Sequence, residues 1–127
     1  MKKILLVDDS PTVLQLERTF LQSVGCELLS ASTGGDALAK AEASVPDLIL
    51  LDIVMPGLDG LAVLRELRSR PTTRNIPIVM VTTKSDEKHM TSALELGCTG
   101  YITKPFTRSE LLEVVRDALA QPTQGEA

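Results

Sequence analysis

A chain of 127 residues, 43% of them hydrophobic, is long enough for one domain with its own core and short for two. Its net charge of −4 excludes nucleic-acid binding through bulk basic charge, which needs clustered Lys and Arg. No apolar run approaches the roughly 18 residues of a membrane span, the apolar run after Met1 is too short for a signal peptide, and Cys26 and Cys98 lack metal-ligand spacing, so they read as free buried thiols of a cytoplasmic protein.

The first apolar run, "ILLV" at 4–7, reads as a strand, and Asp8 and Asp9 follow it at once. Ser10 as N-cap and Pro11 at the first helical position then open a helix. Its apolar stripe reads Val13, Leu16, Phe20 and Val24, widened by Leu14 and Leu21, and Gly25 closes it. A second strand, "ELLSA" at 27–31, leads to an Ala-rich helix over 35–45 that Pro46 stops. "DLILLD" at 47–52 is the third strand, and Leu61, Leu64 and Leu67 mark the third helix. "IPIVMVT" at 76–82 is the fourth strand. The fourth helix covers 86–96, with Asp86 and Glu87 in its first turn and Gly97 as its stop. "GYIT" at 100–103 is the fifth strand. "TRSE" at 107–110 is a capping box that opens the fifth helix, whose apolar face is Leu111, Leu112, Val115 and Leu119. Residues 1–120 form one domain, and the polar "QPTQGEA" at 121–127 reads as a disordered tail.

Several strand runs are continuous rather than alternating, the pattern of strands covered on both faces. Five strands alternating with five helices predict an α/β fold: a parallel sheet, helices on both faces, right-handed crossovers. Ligands of such folds bind beyond the carboxyl ends of the strands. Polar residues converge there from distant parts of this sequence: Asp8 and Asp9 after strand 1, Asp52 at strand 3, Thr82 and Thr83 at strand 4, Lys104 after strand 5. Three carboxylates left alone repel one another and one tends to hold a proton. A divalent cation together with Lys104 balances them. All-oxygen donors suit Mg²⁺ and disfavour zinc. Metal, lysine and hydroxyl around a carboxylate make a site for phosphoryl transfer, with Asp52 the natural nucleophile. Taken singly, Asp9 is equally a turn or cap residue, Thr82, Thr83 and Lys104 fit a solvated loop, and Tyr101 is equally an ordinary packing residue. The joint pattern favours a site.

The motifs "LLVDDS", "LILLDIVMPGLDG", "VMVTT" and "GYITKPF" resemble those of a bacterial two-component response-regulator receiver domain of the chemotaxis, single-domain type, over about Lys2 to Ala120. The resemblance implies a doubly wound, flavodoxin-like sheet of strand order 2-1-3-4-5. It implies that Asp52 accepts a phosphoryl group from a histidine kinase or phosphotransfer protein. Asp8, Asp9, Asp52 and the backbone carbonyl of Val54 would hold Mg²⁺, Lys104 would pair with the phosphoryl group, and the Lys104–Pro105 bond would be cis. Thr82 and Tyr101 would be switch residues that alter the surface of helix 4, strand 5 and helix 5 for an output protein, with Phe106 a candidate contact. On this reading the chain is a standalone monomer that catalyses only its own phosphorylation and dephosphorylation. The alternative is a receiver excised from a larger regulator with a DNA-binding or enzymatic output domain. A flavin binder of the same fold would need a Ser/Thr/Gly phosphate loop where "DDSP" stands. An aspartyl phosphatase would need Asp-x-Asp where "DDS" or "DIV" stands.

Overall fold

The structure, a computed structural model, describes residues 1–120; the expectation of a disordered tail over 121–127 falls outside them. Five strands, β1 (Lys3–Val7), β2 (Glu27–Ala31), β3 (Leu48–Asp52), β4 (Ile78–Thr83) and β5 (Gly100–Lys104), alternate with five helices. The helices are α1 (Pro11–Leu21), α2 (Gly34–Ser44), α3 (Gly60–Ser69), α4 (Met90–Glu95) and α5 (Arg108–Ala120). All strand pairings are parallel, in the order β2-β1-β3-β4-β5.

Strand alternation divides the core in two. Leu5, Val7, Ile49, Leu51, Ile78 and Met80 pack under α2, α3 and α4. Ile4, Leu6, Leu48, Leu50, Val81 and Ile102 pack under α1 and α5. Each central strand is therefore apolar on both faces, which explains the continuous runs.

Local sequence sets the helix ends. The Ser10 hydroxyl accepts from the Val13 amide at 3.3 Å. The capping box of α5 closes in both directions: the Glu110 amide donates to Thr107 Oγ1 at 3.1 Å and the Thr107 amide donates to Glu110 Oε1 at 2.9 Å. Three expectations need correction. The predicted helix over 86–96 is a 3-10 segment over Lys84–His89 before six α-helical residues. The stripe on α1 is also rotated: Leu16 is 41% exposed, and the face toward the sheet carries Leu14, Glu17 and Leu21. Residues 14, 17, 21 and 24 follow the helical period, so the charged residue sits inside the stripe. Both cysteines are free and half-buried rather than fully buried.

Gly60 fixes the junction of β3 and α3. Its amide donates to the Ile53 carbonyl at 2.8 Å. A Cβ there would run into the Asp52 carbonyl oxygen and come within 2.7 Å of Ile53 Cα, both backbone atoms that cannot step aside. Gly35, in the first turn of α2, faces open space. We expect Gly60→Ala to cost about 2–3 kcal/mol through overpacking and Gly35→Ala to be neutral or to stabilise by up to about 1 kcal/mol, measured by urea unfolding. Equal effects at the two positions would remove the close-approach argument.

Candidate functional site

Asp8, Asp52 and Lys104 meet because period-2 alternation sends all three to one face of the sheet. Asp8 continues Ile4 and Leu6, Asp52 continues Leu48 and Leu50, and Lys104 continues Ile102, all residues of the α1/α5 face. Lys104 Nζ lies 3.1 Å from Asp8 Oδ2 and 3.4 Å from Asp52 Oδ1. Asp8 is buried and its other oxygen accepts from the Ser10 amide at 2.9 Å, which couples the carboxylate to the start of α1. Asp9 is exposed beside it. One carboxylate oxygen from each of Asp8, Asp9 and Asp52 falls within 4.8 Å of the others.

Electrostatics follow from burial. Desolvation, reinforced by the charge of Asp8 and opposed by Lys104, pushes the Asp52 carboxyl up to about 6. Burial pulls the Lys104 ammonium down, but Asp52 and Asp8 outweigh it and hold it above its usual value. Three acids around one ammonium leave an excess of negative charge. The hard, all-oxygen donor set fits a cation such as Mg²⁺. The cluster could hold such an ion, and neither cysteine belongs to it.

The other expected residues divide. Thr82 is buried at the end of β4 and its hydroxyl donates to the Thr83 carbonyl at 3.1 Å. Thr83 donates its own hydroxyl to Asp86 at 2.6 Å. Val54 follows Asp52 by two residues with its side chain in solvent, so any part it takes falls to its backbone. Tyr101 pairs with Met80 and Thr103 with Thr82, which places Tyr101 diagonally from Thr82 on the α4 face. Its ring is 52% exposed. The Lys104–Pro105 bond is cis. Phe106, expected as a surface contact, is instead 7% exposed, because its ring meets Phe20 of α1 edge to face at 6.2 Å between centroids.

Glu17 escapes the sequence reading. It is 1% exposed, its Oε1 has no hydrogen-bond partner among the described residues, and it lies within the fields of Asp8, Lys104 and Asp52. Desolvation by burial, with Asp8 adding to it, pushes its carboxyl up to about 8. The signal is present in the sequence: position 17 lies on the stripe through 14, 21 and 24, where the helical period calls for an apolar side chain.

Comparison with known proteins adds four findings. The response regulator receiver domain matches residues 4–116. The chain is 40% identical over 120 residues to protein PilH of Pseudomonas aeruginosa, covering 94% of this chain and 99% of that one. It is 43% identical over 110 residues to the alkaline phosphatase synthesis transcriptional regulatory protein PhoP of Bacillus subtilis, but spans only 45% of that relative's length. Among solved structures, the chemotaxis protein CheY4 of Vibrio cholerae superposes with a TM-score of 0.87 at 33% identity, over 93% of this chain and 98% of that one.

Glu17 makes stability depend on pH. The native state keeps its proton up to about 8, whereas the unfolded chain loses it near 4.5. Between those values the native state binds more protons, so this contribution to stability falls as pH rises. In metal-free buffer at pH 8, Glu17→Leu should raise stability by on the order of 2–4 kcal/mol, with the gain shrinking toward pH 4.5. Urea unfolding followed by circular dichroism measures it; a gain independent of pH rules out the carboxyl as its source.

Proposed function

The chain belongs to the response regulator receiver domain family, a signalling module of two-component systems rather than a dedicated enzyme, and on that footing we propose that Asp52 is its phosphoryl acceptor. The observation that carries this reading is the Lys104 ammonium held against both Asp8 and Asp52, with Asp9 alongside. With its carboxyl at about 6, Asp52 is mostly ionised at neutral pH and available as a nucleophile. One of its oxygens attacks the phosphorus of a phosphohistidine on a kinase or phosphotransfer protein. The P–O bond forms as the P–N bond breaks, and the electron pair of that bond returns to the donor imidazole. Lys104 donates to the charge that gathers on the equatorial oxygens. Asp8 and Asp9, with Asp52 and the Val54 carbonyl, would hold Mg²⁺, which neutralises charge on the transferring group when bound. The same residues would support slow loss of the phosphoryl group to water.

The product adds charge beside Thr82. Its hydroxyl, engaged among the described residues with the neighbouring Thr83 carbonyl, can turn toward a phosphoryl oxygen. The space it leaves lies diagonal to Tyr101, whose exposed ring moves inward. That alters the surface of α4, β5 and α5, where Leu94 and Tyr101 are large apolar side chains exposed to solvent. An output protein reads that surface, and the chain itself stays monomeric. No helix among the described residues is long and apolar enough to cross a membrane. A second reading, a receiver belonging to a longer regulator, draws on the relatives such as PhoP of which this chain spans about half. The chemistry at Asp52 is the same in both.

With acetyl phosphate and Mg²⁺, intact-mass spectrometry should show one added phosphoryl group, absent in Asp52→Asn. An undiminished adduct in that variant moves the acceptor elsewhere. With beryllofluoride and Mg²⁺, light scattering should return the mass of a monomer. A tight dimer formed only on activation sinks the monomer proposal and favours the longer regulator.

A further inference from the structure

The site contains a group that the receiver chemistry above does not use. Lys104 is the ammonium of the cluster, and its two partners, Asp8 and Asp52, are also two of the three carboxylates placed to hold a cation. A divalent ion on that cluster draws on the charge of both partners and repels the ammonium. The Lys104 side chain is half-buried, so an ammonium displaced from its carboxylates gains from a new protein acceptor.

Glu17 shares that face, and Lys104 is among the charges that act on it. Lys104 projects to the α1/α5 face of the sheet, and Glu17 is buried on the sheet-facing stripe of α1. Long side chains on a helix lean toward its N-terminus, which on α1 is the end joined to Asp8. One turn further along α1, Phe20 packs on Phe106, two residues after Lys104, so α1 is in contact with the turn that carries the lysine. Glu17 Oε1 is the buried side-chain oxygen without a partner among the described residues. A buried carbonyl oxygen left unpaired costs stability, and an apolar residue would fill the position without that cost.

We propose that Glu17 is a positioning residue for Lys104, a second station that accepts the ammonium when a divalent cation occupies Asp8, Asp9 and Asp52. This rests on the reading of that cluster as the cation site. The carbonyl oxygen of Glu17 accepts from the ammonium whether or not the other oxygen carries a proton. Lys104 thus competes with the ion when it pairs with Asp8 and Asp52, and stops competing when it pairs with Glu17. It stays half-buried beside Asp52, ready for a phosphoryl oxygen. Glu17 acts on cation binding through the lysine rather than by touching the ion.

Mn²⁺ affinity, read by loss of the free-ion paramagnetic resonance signal, tests this in a double-mutant cycle. Circular dichroism establishes that each variant is folded. Glu17→Leu should weaken Mn²⁺ binding about five- to tenfold in the wild-type background. Lys104→Met removes the competing ammonium, and in that background Glu17→Leu should have no further effect. Glu17→Gln, which keeps the carbonyl oxygen, should retain most of the wild-type affinity. An equal loss in both backgrounds, or none in either, overturns the station. Failure of the wild type to bind Mn²⁺, or binding unaltered by Asp52→Asn, would instead overturn the cation site itself.

Discussion

The ammonium of Lys104, set between Asp8 and Asp52, is the contact on which the site depends. It joins β5 to β1 across 96 positions of sequence and bridges the central strands to an edge. Without it the two carboxylates, both buried, would face each other with only protons or a bound cation to relieve the repulsion. The parallel sheet makes the contact available, since every strand delivers its last residue to the same edge. The small residue at Gly60 completes it by letting α3 begin against the backbone of Asp52.

Burial gives this contact its strength and its cost. The same low-dielectric surroundings that strengthen the ion pairs raise the Asp52 and Glu17 carboxyls toward neutral pH. The result is a site short of positive charge, in which a proton, an ammonium and, on the proposed reading, a hard cation answer to the same few carboxylates. Small changes in ligand charge therefore redistribute large electrostatic energies, which is the property a switch requires.

Much of this is legible in the sequence because it is written locally. The continuous runs at 4–7 and 48–51, the Ser10–Pro11 start and the "TRSE" capping box each state their own structure, and the structure agrees. The polar strand ends follow from the strand boundaries alone. What the sequence conceals depends on rotation and on partners distant in the chain. A one-residue turn of the α1 stripe exchanges Leu16 for Glu17, and the all-apolar stripe is the more persuasive one until the sheet chooses the other side. Phe106 reads as a surface ring until Phe20 is seen to cover it. The segment 84–89 carries helix-start residues, yet its exposed, polar turn lacks the buried apolar contacts that would hold an α-helical geometry over a 3-10 one.

The two faces of the sheet divide the labour at this site. Asp8, Asp52, Lys104 and Glu17 all belong to the α1/α5 side, while Thr82 and Tyr101 belong to the α4 side. Charge is handled on one face, and on the proposed reading it is reported on the other. The crossing point is narrow: Asp52 pairs with Val81, so its neighbour Thr82 is the first residue beyond it that points to the far face. A hydroxyl at that position can reach around the strand end toward a group on Asp52, and its departure is felt by whatever packs diagonally from it. On that proposed reading, alternation along β4, rather than a chain of contacts through the core, links a charge placed on Asp52 to the ring of Tyr101.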